Sequence, residues 1–415
     1  MSQAISERAQ DNIRAEFVVE TTRGETPADP AFKVIADYFD SSPGYSADTS
    51  VEAGQTLGNS DVQQHDRGAR ENSLAFSYWM SQFPVDASGD ANDPLGTILN
   101  RDPGTALDTH TVVWRREQTD ASVGNDSAGI REYVVGRGAY PTAAPISGDP
   151  GDSHAMMVDL EYGQVASVET HVIHQPSAST ALTVSSTDAS DTTQTLEIED
   201  SGASTTESVD LNGTTEVTTT ATFADIDAAA LDAETTGDIT ITDGSGTTFL
   251  TIYGTDTDGV DGQLGIPALG AGSRGTAIGN DPETYQFLRT NTTFGGALST
   301  PERLHAVDFN IEIDTSTEPQ QGTRAMAIDP GQRTVSAAVD VAGPYESATR
   351  LEEYLHGRTG DVTFSLPDGD IVIQNAQATE VDDKDLSAGD ANFVYGVTIS
   401  GSKGSDSAAV TATHN

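Results

Sequence analysis

The sequence contains no cysteine and is poor in basic residues, aromatic residues and long apolar runs. Without cysteine the chain has no disulfide framework, no thiol nucleophile and no Cys-based zinc site. No apolar run approaches the roughly 18 residues that a membrane-spanning helix needs, so we expect no membrane insertion. The opening segment MSQAISERAQDNIRAEF lacks the apolar core of a signal peptide, so we expect release into the cytoplasm.

The scarcity of basic residues gives the chain a formal net charge of -45, from 65 acidic and 20 basic residues. Such a charge repels itself at low salt, whereas at about 1 M salt the Debye length is only ~3 Å. The composition is therefore typical of a halophilic protein with a solvated acidic surface; cation sites, or a surface that repels nucleic acid, are the alternative. Because phosphate contacts need clustered Lys and Arg, it argues against sequence-specific DNA binding.

Alternation of apolar and polar residues with a period of two dominates the chain. This pattern predicts antiparallel sheets that bury one face, and hence a mainly β protein. The segment from Glu20 to Phe39 is expected to form a strand, a kink and a second apolar strand. The alternating apolar positions elsewhere are Leu74, Phe76, Tyr78 and Met80; Val307, Phe309, Ile311 and Ile313; Val335, Ala337, Val339 and Val341; Val362, Phe364 and Leu366; and Phe393, Tyr395, Val397 and Ile399.

One helix is predicted from GPYESATRLEEYLHG. Leu351 and Leu355 stand four residues apart with Ala348 on the same stripe, and Gly357 is placed to end the helix. Two shorter helices are expected, one from Ser2 to Arg14 and one turn in DPLGTILN, where a proline stands at the first helical position.

The middle of the chain has no Lys or Arg from Gly138 to Ser273. Its apolar residues nevertheless recur roughly every 8 to 15 positions between glycines, and this spacing, with many threonines, predicts a small immunoglobulin-like β-sandwich. A disordered acidic segment is the alternative. The apolar positions are Ala181, Leu182, Val184, Leu196, Ile198, Val209, Leu211, Val217, Phe223, Ile239, Ile241, Phe249, Leu250 and Ile252.

The flanks of this middle segment, Gln175-Pro176-Ser177 and GIPALGAGSRGTAIG, have the composition of hinges. We therefore predict a discontinuous β domain formed by residues 1–175 and 275–415, with an inserted domain at 176–274. The expected fold is a β-barrel or sandwich with one flanking α-helix, interrupted by the immunoglobulin-like sandwich.

Motifs that carry catalysis are weak. GAGSRG, Gly270 to Gly275, matches a dinucleotide-binding pattern, but it neither follows a strand nor opens a helix, so a linker explains it better. GDS, Gly151 to Ser153, follows a turn signal and is not a nucleophile elbow. With 65 acidic residues in a β protein, no catalytic carboxylate pair can be nominated. We predict no enzymatic activity and no cofactor.

Metal-binding patterns are equally sparse. His171 and His174 stand three apart on a predicted strand and so point to opposite faces, which does not suit zinc. Asp256, Asp258 and Asp261 in DTDGVD have the spacing of a calcium loop without its distal glutamate. They are weak cation candidates, since such spacing arises by chance in an acidic chain.

The order of segments resembles the tail tube proteins of long-tailed, siphovirus-like bacteriophages and of tailed viruses of haloarchaea. The resemblance lies in strand, loop and glycine patterns and omits the middle insertion. The segments that carry it are EFVVETTRGETPADPAF (Glu16 to Phe32), SVEAGQTLGNSDVQQHDRGARENSLAFSYWM (Ser50 to Met80), VDFNIEIDTSTEPQQGTRAMAIDPGQRTVSAAVDVAG (Val307 to Gly343) and DIVIQNAQATEV (Asp370 to Val381).

This resemblance implies a structural virion protein made in the host cytoplasm. Subunits of the family join edge to edge into rings, commonly sixfold, which stack into a tube that conducts double-stranded DNA. Its other implied partners are tape measure, tail terminator and baseplate proteins. An immunoglobulin-like domain often decorates the outside, and an acidic lumen would let the DNA pass without sticking.

The segment from Phe39 to Asn72 has few apolar residues and is interpreted as a long loop that docks on a neighbouring subunit or ring. The residues expected at this contact are Tyr45, Val51, Leu57, Arg67 and Arg70, with the two arginines pairing to acidic partners. A surface loop without a partner is the alternative.

Two other functions remain open at this point. A haloarchaeal cell-surface or filament β-sandwich binding protein, resembling an adhesin, fits the β pattern but would normally carry a signal peptide. A hydrolase is a distant third.

Overall fold

The computed structural model is mainly β with one flanking helix, as predicted. Neither helix of the part described is long and apolar enough to cross a membrane. The residues that the structure describes are 13–36, 44–54, 64–101, 105–118, 129–149, 153–201, 204–255, 262–268, 285, 290–301, 304–319, 326–342, 344–384, 394–402 and 409–415. The helices are α1 (Pro94–Leu99) and α2 (Pro344–Leu355). The strands are β1 (Ile13–Val19), β2 (Lys33–Val34), β3 (Gly44–Gly54), β4 (Gln64–Trp79), β5 (His110–Gln118), β6 (Ile130–Ala143), β7 (Ile146–Asp149), β8 (Ser153–Val165), β9 (Ser167–His174), β10 (Leu182–Ser186), β11 (Thr195–Glu199), β12 (Thr206–Asp210), β13 (Val217–Thr218), β14 (Ala228–Leu231), β15 (Ile239–Asp243), β16 (Thr248–Ile252), β17 (Gly265–Ile266), β18 (Asn291–Phe294), β19 (Leu304–Pro319), β20 (Met326–Ala342), β21 (Thr359–Leu366), β22 (Gly369–Lys384), β23 (Val394–Ser400) and β24 (Val410–His414).

The chain divides into two compact units, each assembled from separate segments. Unit 1 consists of the segments that contain β1, β2, β5, most of β6 and β9, together with the whole middle insertion. Unit 2 holds the rest of the chain. The predicted domain bounds of 1–175, 176–274 and 275–415 stay a prediction. Unit 1 comprises Met1–Val34, Thr109–Gly138 and Ser167–Thr276; unit 2 comprises Ile35–Asp108, Ala139–Ala166 and Ala277–Asn415.

In unit 1 the strands outside the insertion form an antiparallel sheet in the order β9–β6–β5–β1–β2. β1 ends at Val19, so the strand predicted to open the segment from Glu20 lies earlier in the chain than expected. Glu20 instead turns inward, where its carboxylate accepts hydrogen bonds from Gly24 N, Thr109 Oγ1, Thr111 Oγ1 and Gly138 N. The predicted N-terminal helix is wrong from residue 13 onward, which is strand, and residues 2–12 lie outside the part described.

The middle insertion is a sandwich of two four-stranded antiparallel sheets, in the orders β13–β10–β15–β16 and β12–β11–β14–β17. This confirms the predicted sandwich for the described residues, and the disordered alternative is wrong there. Immunoglobulin sheets follow the ABED and CFG pattern. Here β14 and β17 pair with each other in one sheet, whereas β15 and β16, which lie between them in sequence, belong to the other sheet. The strand order of this sandwich therefore differs from the immunoglobulin order.

The core of unit 1 runs without interruption from the sandwich into the β9–β6–β5 sheet. Apolar positions predicted in the insertion, such as Leu196 and Phe223, belong to the same buried cluster as Val113, Tyr133 and Ile173 of the adjoining sheet. The sandwich is therefore continuous with the rest of its unit in packing as well as in sequence.

Unit 2 is built on one antiparallel sheet, in the order β18–β21–β22–β23–β20–β19–β7–β8–β4–β3, with β24 added beside β22. Its longest hairpin is β19–β20, which is paired from Leu304↔Val341 to Pro319↔Met326. The predicted alternation is confirmed for β4, β19, β20 and β21, whose apolar residues are buried on one face, and for Val397 and Ile399 of β23; Phe393 lies outside the described residues.

The predicted helical turn in DPLGTILN is confirmed as α1. The Asp93 side chain caps it by accepting a hydrogen bond from Gly96 N at 3.0 Å, and Pro94 follows at the first helical position. A Cβ at Gly96 would lie 2.0 Å from Pro84 O, so this turn requires glycine.

Candidate assembly surfaces

The segment interpreted as a long loop from Phe39 to Asn72 contains two paired strands, and the loop prediction is wrong for residues 44–54 and 64–72. β3 and β4 pair antiparallel from Gly44↔Ala75 to Gly54↔Gln64. Across this hairpin the hydroxyls of Ser46 and Ser73 lie 2.7 Å apart. In β3, Tyr45, Ala47, Val51 and Ala53 alternate with polar residues, a weak period of two that the loop interpretation overlooks.

Four of the five residues predicted at a subunit contact lie on this hairpin. Tyr45 is 47% exposed near the start of β3. Val51 is paired directly with Arg67, and Arg70 is paired with Thr49. Leu57 lies outside the described residues. Among the strands described, β3 pairs only with β4, so it forms an edge of the sheet of unit 2.

The solvent-exposed face of the β19–β20–β23–β22 region is acidic and carries mostly small side chains. Its exposed or half-buried side chains are carboxylates, hydroxyls, an amide and a methyl group. They are Asp308, Asn310, Glu312 and Asp314 on β19, Thr334, Ser336, Ala338 and Asp340 on β20, Thr398 and Ser400 on β23, and Glu380 on β22. Lys384, the last residue of β22, is the one basic residue at this register among the described strands.

The arginine in the middle of β20 points away from this acidic face. Arg333 is paired with Ile313, a residue of the buried face. Its Nη1 donates to the carbonyl oxygens of Ile98 at 2.6 Å and Leu99 at 3.1 Å, at the C-terminal end of α1. A guanidinium suits the partial negative charge at a helix C-terminus, so the positive charge of β20 is used inside the unit.

The predicted helix in GPYESATRLEEYLHG is confirmed as α2, and so is its glycine end. Gly357 has φ +56°, its N–H donates to Tyr354 O, and Arg358 N donates to Glu353 O. These two hydrogen bonds form a Schellman motif, which requires a residue in the left-handed region.

The apolar stripe that predicts α2 is not the face that the helix buries. Leu351 is 48% exposed, Tyr354 41% and Leu355 69%. The buried residues of the same turns are Arg350 and Glu353, each 1% exposed. The helix therefore turns a charged pair inward and an apolar stripe outward, the reverse of an ordinary surface helix.

The buried pair of α2 binds both backbone polar groups of one residue, Ser299, in the segment that follows β18. Arg350 Nη1 lies 2.6 Å from Glu353 Oε2, Arg350 Nη2 donates to Ser299 O, and Ser299 N donates to Glu353 Oε1 at 2.7 Å. The guanidinium also lies 5.0 Å from the ring centre of Phe294. The i, i+3 spacing of an arginine and a glutamate is the one sequence signal for this pair.

In unit 1 a second buried Arg–Glu pair ties β6 and β9 to the sandwich. Arg137 Nη1 donates to Glu169, and Arg137 Nη2 donates to Gly265 O at 2.7 Å. Glu169 Oε2 accepts from Gly265 N at 3.0 Å and lies 3.0 Å from His171 Nε2. Burial raises the pKa of Glu169, but the charge of Arg137 and the hydrogen bonds of His171 and Leu264 outweigh it, and the pKa lies below its usual 4.5.

A further polar cluster joins the same sheet to the segment before β14. Asp227 Oδ1 accepts from Tyr133 Oη at 2.6 Å, from Arg115 at 3.2 Å and from Arg131 at 3.3 Å. This cluster was not foreseen, because its members are scattered along the sequence.

The predicted hinge at Gln175 is wrong. The Gln175 side chain donates to Ile226 O at 2.9 Å and accepts from Ile226 N at 2.8 Å, and the residue is buried. Together with the common core, these contacts fix the sandwich on the sheet of unit 1. The second predicted hinge lies for the most part outside the described residues.

The remaining candidate motifs add no site in the part of the chain described. Asp256, Asp258 and Asp261 lie outside it, as do Gly151, Asp152 and Gly270 to Gly275. His171 lies on the buried face of β9, and His174 lies on the alternate face. No group of three or more His, Asp or Glu residues suited to a metal ion occurs among the described residues.

Comparison with known proteins yields a distant structural similarity to a solved structure. No family model matches the chain, and no curated protein matches it. A solved structure described as the virion of a native gene transfer agent particle contains a chain that aligns at 11% identity, covering 30% of this chain and 96% of that one, with a TM-score of 0.25. A TM-score this low does not establish a common fold.

Proposed function

We propose that this protein is a structural virion subunit that polymerises into stacked rings and forms the tail tube of a siphovirus-like virus. The tube would conduct double-stranded DNA into a halophilic, haloarchaeal host. The observation that carries the proposal is the acidic, small-residue face of the β19–β20–β23–β22 region. Copies that bring this face inward would enclose a smooth, negatively charged bore.

Electrostatics supports this use of the face. Duplex DNA carries one negative charge per ~1.7 Å of its axis, so a wall of carboxylates repels it and a basic wall would hold it. Asp308, Glu312 and Asp314 supply the negative charge on β19, and Arg333 is turned away from the face. In the tube, DNA slides without sticking.

The sheet edge of unit 2 supports assembly. An edge strand presents unpaired N–H and C=O groups, and ring closure pairs them. β3 is such an edge among the described strands, and its hairpin is the proposed bridge to a neighbouring subunit or ring, with Arg67 and Arg70 meeting acidic partners. Sixfold rings, and contacts with tape measure, tail terminator and baseplate proteins, belong to the proposal through the family resemblance alone.

In this proposal the sandwich of unit 1 is a decoration of the outer wall. The buried contacts of Arg137, Glu169 and Asp227 hold it as part of a rigid unit. We propose no catalytic activity and no cofactor for the chain.

Negative-stain microscopy of the purified protein at molar salt tests the proposed function. We expect stacked rings or tubes with a narrow axial channel. A stable monomer that binds glycans would instead indicate the cell-surface protein. Turnover of esters or glycosides that is lost on Ser153→Ala would indicate a hydrolase.

A further inference from the structure

The outer face of α2 is an unusual surface for a chain of this composition. Leu351, Tyr354 and Leu355 lie at i, i+3 and i+4, so they form one continuous stripe. Taking roughly 200 Å² for a fully exposed side chain of this size, the stripe exposes about 300 Å². Patches of that size on a monomer are often functional.

The stripe is too small to be an interface by itself. A stable interface buries about 800 Å² on each partner, so the stripe must belong to a larger contact surface. In unit 2, among residues whose exposure is described, the one other exposed large hydrophobic residue is Tyr45, near the start of the edge strand β3.

Both surfaces are locally neutral on a chain of net charge -45. Beside the stripe, the exposed Glu352 carboxylate lies 3.0 Å from Arg358 Nη2, so these two charges cancel. Tyr45 is paired across the strands with the uncharged Leu74, and its chain neighbours Gly44 and Ser46 are exposed and uncharged. Two copies can therefore approach at these surfaces without the like-charge repulsion that acts elsewhere.

We propose that the α2 stripe of one copy receives the Tyr45 end of the β3–β4 hairpin of a second copy. The inference rests on the proposed function and names the surface on which the hairpin docks. The two surfaces differ, so the contact is heterologous and each subunit can both give and receive a hairpin. Apolar contact gains strength with salting-out salts while charge repulsion is screened, so the contact suits a protein working in brine.

The absence of cysteine allows a direct test. Subunits carrying Tyr45→Cys are mixed with subunits carrying Leu355→Cys at molar salt and oxidised, and covalent dimers are measured on a denaturing gel. We expect heterodimers of the two variants at least tenfold above the homodimers of either one. A homodimer of Leu355→Cys alone would show helix-to-helix contact and overturn the proposal, and so would the absence of any dimer.

A second measurement uses matched substitutions in exposed positions. Tyr354→Ser should reduce assembly at least tenfold by sedimentation while the monomer stays folded. The control is Tyr253→Ser in unit 1, where the tyrosine is 43% exposed, and it should assemble as the unaltered chain does. Equal assembly of the two variants would contradict the docking site.

These experiments separate the docking inference from the proposed function. Tubes in the microscope without cross-linked heterodimers would overturn the inference and leave the tube function standing. Heterodimers without tubes would support the inference and overturn the function. Neither tubes nor heterodimers would overturn both.

Discussion

The two units use the same device, a buried Arg–Glu pair, in different surroundings. In unit 1 Arg137 and Glu169 bind the backbone of β17, and in unit 2 Arg350 and Glu353 bind the backbone at Ser299. The first pair lies beside an apolar core that runs from the sheet to the sandwich. Around the second pair the helix leaves its apolar stripe outside. Buried charge therefore fixes an internal junction in both units, and in unit 2 the helix that carries the pair also exposes an apolar stripe.

The largest effect is expected from breaking the pair in unit 1. Glu169→Ala leaves the buried Arg137 guanidinium without its carboxylate, and removal of one partner of a buried pair costs about 3–5 kcal/mol. We expect the upper part of that range, because His171 and the backbone of β17 lose the same partner. Chemical unfolding at molar salt measures the change. The double variant Arg137→Met with Glu169→Met is the control, and it should recover most of the loss; no recovery would contradict the explanation by unpaired charge.

Breaking the pair in unit 2 should have the next largest effect. Glu353→Ala leaves Arg350 buried and removes the acceptor for Ser299 N, so we expect a loss of about 3 kcal/mol. Hydrogen exchange of the Ser299 amide should rise with the loss of stability. An unchanged exchange rate there would show that the pair does not hold this segment.

A smaller effect is expected from pH in unit 1. Burial lowers the pKa of His110 from 6.5 to about 3. Between these values the unfolded chain binds a proton that the folded chain does not, so the unfolding free energy falls by about 1.4 kcal/mol per pH unit as the pH drops below 6.5. Glu169, whose folded pKa is below 4.5, loses its contribution in the same direction but only at lower pH.

The variant His110→Phe isolates the contribution of His110 to the pH dependence of the unfolding free energy. Its ring can occupy the space beside Phe17, which lies 5.2 Å from the His110 ring centre. Unfolding measured between pH 7.5 and 5 should show a slope smaller by one proton in the variant. Identical slopes would mean that His110 is protonated in the folded chain.

The smallest effect is expected at the exposed pair of α2. Glu352→Ala breaks a contact with Arg358 in which both side chains are about half exposed, and exposed pairs contribute about 0–1 kcal/mol. At molar salt we expect no measurable change in the unfolding free energy. A loss as large as that of Glu353→Ala would remove the distinction between the inner and outer faces of the helix.

The sequence predicted the strands that bury an apolar face, but it did not predict most of the buried polar contacts. Strands with an alternating apolar face, such as the one through Phe309, were predicted because burial imposes a period of two. In the β3–β4 hairpin only the end of β4, from Leu74 to Tyr78, carries a strong apolar face, so the segment before it is interpreted as a loop. For α2 the pattern identified the helix but not its buried side, because Arg350 and Glu353 are buried through partners that only the fold brings near.

The central claim is that copies of the chain enclose a bore lined by the acidic face of unit 2. A cryo-electron microscopy reconstruction of the material assembled at molar salt tests it most directly. We predict closed rings around an open axial channel, with Asp308 and Glu312 on the channel wall. Particles without a channel, or rings that turn these two residues to the outside, would contradict the claim.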